Sequence, residues 1–184
     1  MHLQKRSAFG EEDMLKRYLE FVGTTRILWI SFILMNATTF GIFRNLPDLD
    51  ALVIDRMMSY GAEDVVAALT AIGEHGRRTY LWANAIDMVF PLFYGSFFAG
   101  VLYRFRLREA LWILSLMPLF AGLADIGENI QIRTMLQAFP NISDAQASAS
   151  SVFTQAKWWL IVTSMAGALV AGLAAIVRHF RRKD

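Results

Sequence analysis

The chain has no cysteine. That absence excludes disulfides, thiolate metal ligands and a cysteine nucleophile. Its three histidines, His2, His75 and His179, all fall outside the predicted spans. A haem held between two intramembrane histidines is therefore excluded, as is a membrane di-iron histidine box. No lysine is expected deep in a span, because Lys157 is placed at an edge, and this argues against a retinal-type Schiff base. Charge is scarce too. Asp, Glu, Lys and Arg make up 18% of the residues, against roughly 25% in a soluble domain. The net formal charge is only +2, so a pI near 9.1 is no argument for nucleic acid. Glycine-rich phosphate loops, a serine elbow, a zinc helix motif and a CDP-alcohol transferase pattern are all missing. There is no internal repeat and no inverted symmetry of the transporter kind.

What the chain does have is apolar mass: 55% hydrophobic residues and a mean hydropathy of +0.38. The charges cluster at the edges of long apolar runs, the pattern of one membrane-embedded domain over residues 1–184. The fold expected is all-α, a bundle of four transmembrane helices with short amphipathic helices capping the extracytoplasmic side. The spans are placed at about 26–43, 79–103, 110–132 and 158–177, with interfacial Trp and Tyr at several edges. Residues 1–10 read as disordered. Glu11 to Val22 sets Met14, Leu15, Tyr18, Leu19 and Val22 on one face, which predicts an interfacial helix within a cytoplasmic segment 1–25. Acidic residues ahead of the first span, and no small-x-small site after it, favour an uncleaved signal anchor.

Arginine and lysine in the short segments set the orientation. Lys5, Arg6, Lys16, Arg17 and Arg26 precede span one. Arg104, Arg106 and Arg108 join spans two and three, and Arg178, Arg181, Arg182 and Lys183 end the chain. The positive-inside rule then puts both termini in the cytoplasm. A bacterial inner membrane is the expected location. Segments 44–78 and 133–157 lie on the other side. In the first, Pro47 and Asp48 open one short helix, with Leu49, Leu52, Val53 and Met57 on its apolar face, and Gly61 breaks it. A second sets Val65, Val66, Leu69 and Ile72 together and ends near Gly73 and Gly76. In the other segment, Ser143 to Gln146 fits a capping box that opens a helix into span four.

Span four carries small residues four apart: Thr163, Gly167, Ala171 and Ala175, with Ser164, Ala168 and Gly172 beside them. Such rows let helices approach closely. They serve bundle packing, or a homo-oligomer or another membrane subunit docked through Gly167, Ala171 and Gly172. Pro91 and Pro118 fall inside spans two and three, and Pro91 frees the carbonyl of Asp87.

The functional signal is acidic. Asp87, Asp125 and Glu128 sit in apolar runs, where a carboxylate costs at least ~2.5–3.5 kcal/mol on insertion scales. Asp87 is about 10 Å below the outer edge by helix rise, and Asp125 falls at about 9 Å, so the two share a depth. Asp125, Glu128 and Asn129 share a face, with Arg133 one turn outward. Asn84 and Tyr94 lie on nearly the same face as Asp87, and Asn36 of span one is placed to point inward. If these faces meet, they form an acidic pocket with Arg133 at its rim and Arg77 and Arg78 near by. Close carboxylates then call for a shared proton or a bound cation. Oxygen-only donors suit Mg²⁺ or Ca²⁺ rather than zinc or copper. The competing account is a structural network in which arginines neutralise the acids.

Three functions follow. The first is a non-enzymatic site for a proton, cation or polar ligand, in a small transporter-like or partner subunit. The second is an enzyme acting on a lipid or lipid-linked headgroup, with Glu128 or Asp125 as base or metal ligand and Arg133 holding phosphate. The third is an assembly protein. Membrane lipids surround the chain in all three.

Overall fold

The structure is a computed structural model that describes residues 2–45 and 54–181, with side chains from Glu12 onward. Among these residues every regular element is helical: α1 (His2–Val22), α2 (Thr25–Asn36), α3 (Ala62–Ala71), α4 (Gly73–Asp87), α5 (Phe90–Phe105), α6 (Met117–Ala138) and α7 (Asp144–Arg181). Four continuous helical stretches are long and apolar enough to cross a membrane: Thr25–Asn45, Gly73–Phe105, Glu109–Ala138 and Asp144–Arg181. The chain is thus an all-α, multi-pass membrane bundle.

The helices overrun the apolar runs that announce them. The first helix begins at His2, where disorder was expected. Residues 3–9 contain neither proline nor glycine, and their Leu, Gln, Lys, Arg and Ala favour a helix. The second stretch starts at Gly73 rather than near residue 79. Gly73 has φ +66, a left-handed turn that glycine makes without strain, so it ends α3 as expected, just past Ala71, and at the same point opens α4. The fourth starts at Asp144, well before the apolar run at Trp158. Its first turn is capped as expected, with the Gln146 N–H donating to Ser143 Oγ at 3.3 Å.

Local chemistry explains the irregular points. Thr24 is extended (φ −68, ψ 147) and caps α2. Arg104 secures that corner by donating to Thr25 Oγ1 at 2.8 Å and Gly23 O at 3.3 Å. Span one then loosens into a π-helical turn, Ala37–Ile42. There Asn36 Nδ2 donates to Phe32 O at 2.7 Å and Thr39 Oγ1 to Met35 O at 2.9 Å. Side chains that bond back to the ladder weaken its regular pattern. Pro91 and Pro118 both sit in the first turn of a new helix, α5 and α6. Pro91 follows a break after Asp87. Pro118 follows a 3-10 stretch, Glu109–Leu116. Each proline packs against the other helix's glycine: a Cβ on Gly95 would lie 3.3 Å from Pro118 O, and one on Gly122 3.3 Å from Pro91 Cβ.

Helix α1 folds back on α5 through Leu19, Val22, Ala99 and Tyr103. Met14, Leu15 and Tyr18 of its apolar face are exposed, so only part of that face meets the bundle. In span four, Ser164, Ala168 and Ala171 are buried within the chain and Gly167 faces Leu102, while a Cβ on Gly172 would meet no other part of the chain within 4 Å.

A cap covers one end. Positions 46–53, which include Pro47, Asp48, Leu49, Leu52 and Val53 of the first expected cap helix, lie outside the described residues. The chain resumes in a 3-10 turn, Ile54–Arg56, and α3 follows after Gly61. Ile54, Tyr60, Val65 and Leu69 of the cap bury against Tyr80, Ile132, Met135, Leu136 and Ala147. The upper turns of α4, α6 and α7 therefore form the floor of the cap. Tyr60 fastens it to α7: its N–H donates to Ser151 Oγ at 3.2 Å, and its hydroxyl donates to Ser150 Oγ at 2.8 Å.

Two outcomes follow. A Cβ at Gly100 would overlap the Val22 carbonyl and the Leu28 side chain, so Gly100→Leu forces α1 off α5. Overpacking of this kind costs about 1–3 kcal/mol, read as a lower denaturation midpoint in detergent. Burial pushes the Tyr60 phenol up, against a smaller opposing pull from its Ser150 and Thr154 hydrogen bonds. The folded state thus holds the phenolic proton more tightly. Its contribution is whole below the unfolded value of ~10 and is lost as pH rises through the raised one. Alkaline melting curves are expected to fall more steeply for the wild type than for Tyr60→Phe.

Candidate functional site

The expected acids meet, and Asn129 is where they meet. Asn129 is 1% exposed. Its Nδ2 donates to Asp87 Oδ2 at 3.1 Å and Asp125 Oδ1 at 3.4 Å. Asn84, also 1% exposed, donates from Nδ2 to Asn129 O at 3.0 Å and Asn129 Oδ1 at 2.9 Å. Tyr94 OH donates to Asp125 Oδ2 at 2.9 Å. Asp87, Asn84, Tyr94, Asp125 and Asn129 thus form one hydrogen-bonded set across α4, α5 and α6. Because α4 stops at Asp87 and α5 restarts beyond it, the carboxylate stands at a helix break rather than mid-helix.

The positive charge comes from an unexpected source. Lys157, placed at a span edge by its sequence, is buried in the wall of the site. It pairs with Glu128 Oε2 and lies 3.3 Å from Asp125 Oδ1. The physical reason is that α7 begins more than three turns earlier, at Asp144. Ser150, Thr154 and Lys157 then fall on one face of it, by i, i+4 and i+7 spacing. Thr154 Oγ1 donates to Glu128 Oε1 at 2.6 Å. The periodicity of these polar residues just ahead of the apolar run was the available signal. With Lys157 buried, the argument against a lysine-bound cofactor loses its ground.

Arg133, Arg77 and Arg78 are not at the cluster. Arg133 is exposed and forms no part of the cavity wall, so the phosphate-holding role expected of it has no place there. Arg77 donates to Leu69 O at 2.8 Å and lies over the Phe139 ring. Arg78 pairs with Glu74 at 2.6 Å on the surface. Neutralisation of the acids thus falls to an amine on α7.

These groups form one wall of a cavity of about 760 Å³. Asp55, Arg56, Tyr80, Asn84, Asp87, Tyr94, Asp125, Asn129 and Lys157 line the polar side. Tyr80 OH holds Asp55 Oδ2 at 2.6 Å. Span one supplies Met35, Phe40 and Phe43, with Asn36 and Thr39 between them, and α7 supplies Trp158, Ile161 and Met165. Of this lining Phe40, Trp158 and Met165 are exposed, so the cavity opens sideways between the first and fourth spans.

Two acceptors of the polar set are incompletely met. Asn84 Oδ1 is buried without a hydrogen-bond partner, which costs about 1–3 kcal/mol when left unmet. Among the described residues Asp87 has Asn129 as its hydrogen-bond donor and no cation within salt-bridge distance. Glu128, by contrast, lies behind Lys157, with Oε2 in the ion pair and Oε1 accepting from Thr154 Oγ1. Among the described residues no three Asp, Glu or His side chains group as a metal's ligands would.

The chain matches no family model, and neither a curated protein nor a solved structure shows significant similarity to it.

Removing one partner of a buried ion pair strands the other. Lys157→Met is therefore expected to cost about 3–5 kcal/mol. Adding Glu128→Gln should recover about 1–2 kcal/mol of that by coupling. Denaturation of both variants in one detergent measures the difference, and an undiminished loss in the double variant would refute the pairing.

Proposed function

We propose that this is a non-enzymatic membrane protein whose cavity binds a polar, hydrogen-bond-donating or cationic ligand, in a small transporter-like or partner subunit. The observation that carries this reading is the Asp87 carboxylate on the cavity wall, met among the described residues by the single Asn129 donor. A purely structural network would be expected to satisfy its own members, since each unmet polar group in hydrocarbon is costly. Here Glu128 is met by Lys157 and Thr154, while among the described residues Asp87 on the cavity wall is met by Asn129 alone. Charge supports the same reading. Among the described residues, Asp55, Asp87, Asp125 and Glu128 stand against Arg56 and Lys157, so carboxyl groups outnumber cations there. A proton or a bound cation would restore the balance.

The positive-inside pattern supports both termini in the cytoplasm, and a bacterial inner membrane is the location proposed. The cap and the cavity then belong to the outer half of the bilayer.

The test is thermal melting of the protein in phosphatidylcholine nanodiscs, with methylammonium, Na⁺, Mg²⁺ or Ca²⁺ and across pH. At least one of these is expected to raise the melting temperature of the wild type and to leave Asp87→Asn, still folded, unmoved. A tenfold excess of ligand over Kd would add about 1.4 kcal/mol. If no probe shifts the wild type, or the shift survives in Asp87→Asn, the cluster is structural only.

A further inference from the structure

The cavity has two unlike halves, and together they define a ligand more narrowly than its charge does. One half is polar, with the Asp87 carboxylate at the end of α4 as its partly met acceptor. An acceptor in want of donors selects a group that carries N–H or O–H, and the surplus of carboxylates selects a positive one. The other half is aromatic and aliphatic. Phe90 stands beside Phe43 at 5.6 Å between ring centroids and beside Tyr94 at 5.4 Å, and Phe98 and Trp158 complete that side. A metal ion or methylammonium would fill a small fraction of about 760 Å³, a volume in the range of pockets that bury a drug-sized molecule. Aromatic faces also attract organic cations. The sideways opening between spans one and four gives such a molecule a path from the hydrocarbon.

We infer that the cavity takes an amphiphilic primary ammonium, its N–H groups on the Asp87 carboxylate and its hydrocarbon part against Phe43, Phe90 and Phe98. This rests on reading the cavity as a ligand site. The amine belongs either to a free long-chain amine or to an aminolipid headgroup, and both present the same donor and charge. Anionic and neutral amphiphiles are refused, the first by the carboxylates and the second for want of charge. Lys157 stays with Glu128 and Asp125 and sets the far side of the head-binding wall.

The experiment is equilibrium binding of radiolabelled octylammonium to the full chain in phosphatidylcholine nanodiscs, with empty nanodiscs subtracted. Saturable binding is expected, about tenfold or more tighter than for methylammonium, and about tenfold weaker in Asp87→Asn, the scale of one charge-assisted hydrogen bond. Phe98→Ala should weaken octylammonium while leaving methylammonium unchanged, which also shows that the head site still folds. Octyl sulfate should not compete. Competition by phosphatidylethanolamine in the nanodisc assigns the amine to a lipid, and its absence assigns it to a free amine. Equal affinity for methylammonium and octylammonium would overturn the amphiphile and leave the cation site standing. Octyltrimethylammonium binding as tightly as octylammonium would overturn the role of the N–H donors. No saturable binding of either amine, together with no ligand-dependent melting, would remove both readings.

Discussion

Lys157 reaches two carboxylates on a neighbouring helix, and the arrangement of the site depends on that reach. A single cation on α7 holds Glu128 and Asp125 of α6. In hydrocarbon neither partner has an alternative in water, so the pair fixes how the two helices face each other. Thr154 reinforces it from the same face of α7. Once Asp125 is held, Tyr94 and Asn129 have a fixed acceptor to donate to, and Asn129 in turn positions Asp87 and Asn84. The polar wall is therefore built outward from one ion pair. It ends where α4 ends, with the Asp87 carboxylate on the wall of an open space.

The backbone cooperates through its irregularities. Pro91 and Pro118 each open a new helix, where their missing N–H costs no helical hydrogen bond, and each packs against a glycine of the other's helix. That reciprocal fit lets α5 and α6 approach closely at the level where the acids gather. The π turn of span one comes from Asn36 and Thr39, both of which also line the cavity. The same polar residues that make the site also loosen the helices around it, a common association in membrane sites that need backbone irregularity beside a cavity.

Much of this was legible in the residues. The apolar runs required spanning helices, and the cost of a buried carboxylate singled out Asp87, Asp125 and Glu128. Helix rise gave Asp87 and Asp125 a shared depth, and the structure joins them through Asn129. Helical spacing also set Asn84 and Tyr94 with Asp87. What misled was the equation of apolar run with helix. Hydropathy marks where lipid begins, whereas a helix continues for as long as its backbone bonds and packing allow. Hence Lys157 looked peripheral, the second helix seemed to start after His75, and arginines were given the work of a lysine. Arg133 follows Asn129 by one turn in sequence, but its side chain is exposed.

By itself, then, the sequence determined the class of the fold, the number of spans and the identity of the buried acids, because the energies of moving peptide groups and charges into hydrocarbon are large and local to each segment. The tertiary structure alone decided which cation meets those acids, which acceptors are left incompletely met and that a cavity opens between spans one and four. Those outcomes depend on the rotation and register of helices far apart in the chain. Rotation and register are set by side-chain packing and paired charges between segments, which periodicity within any one segment does not encode.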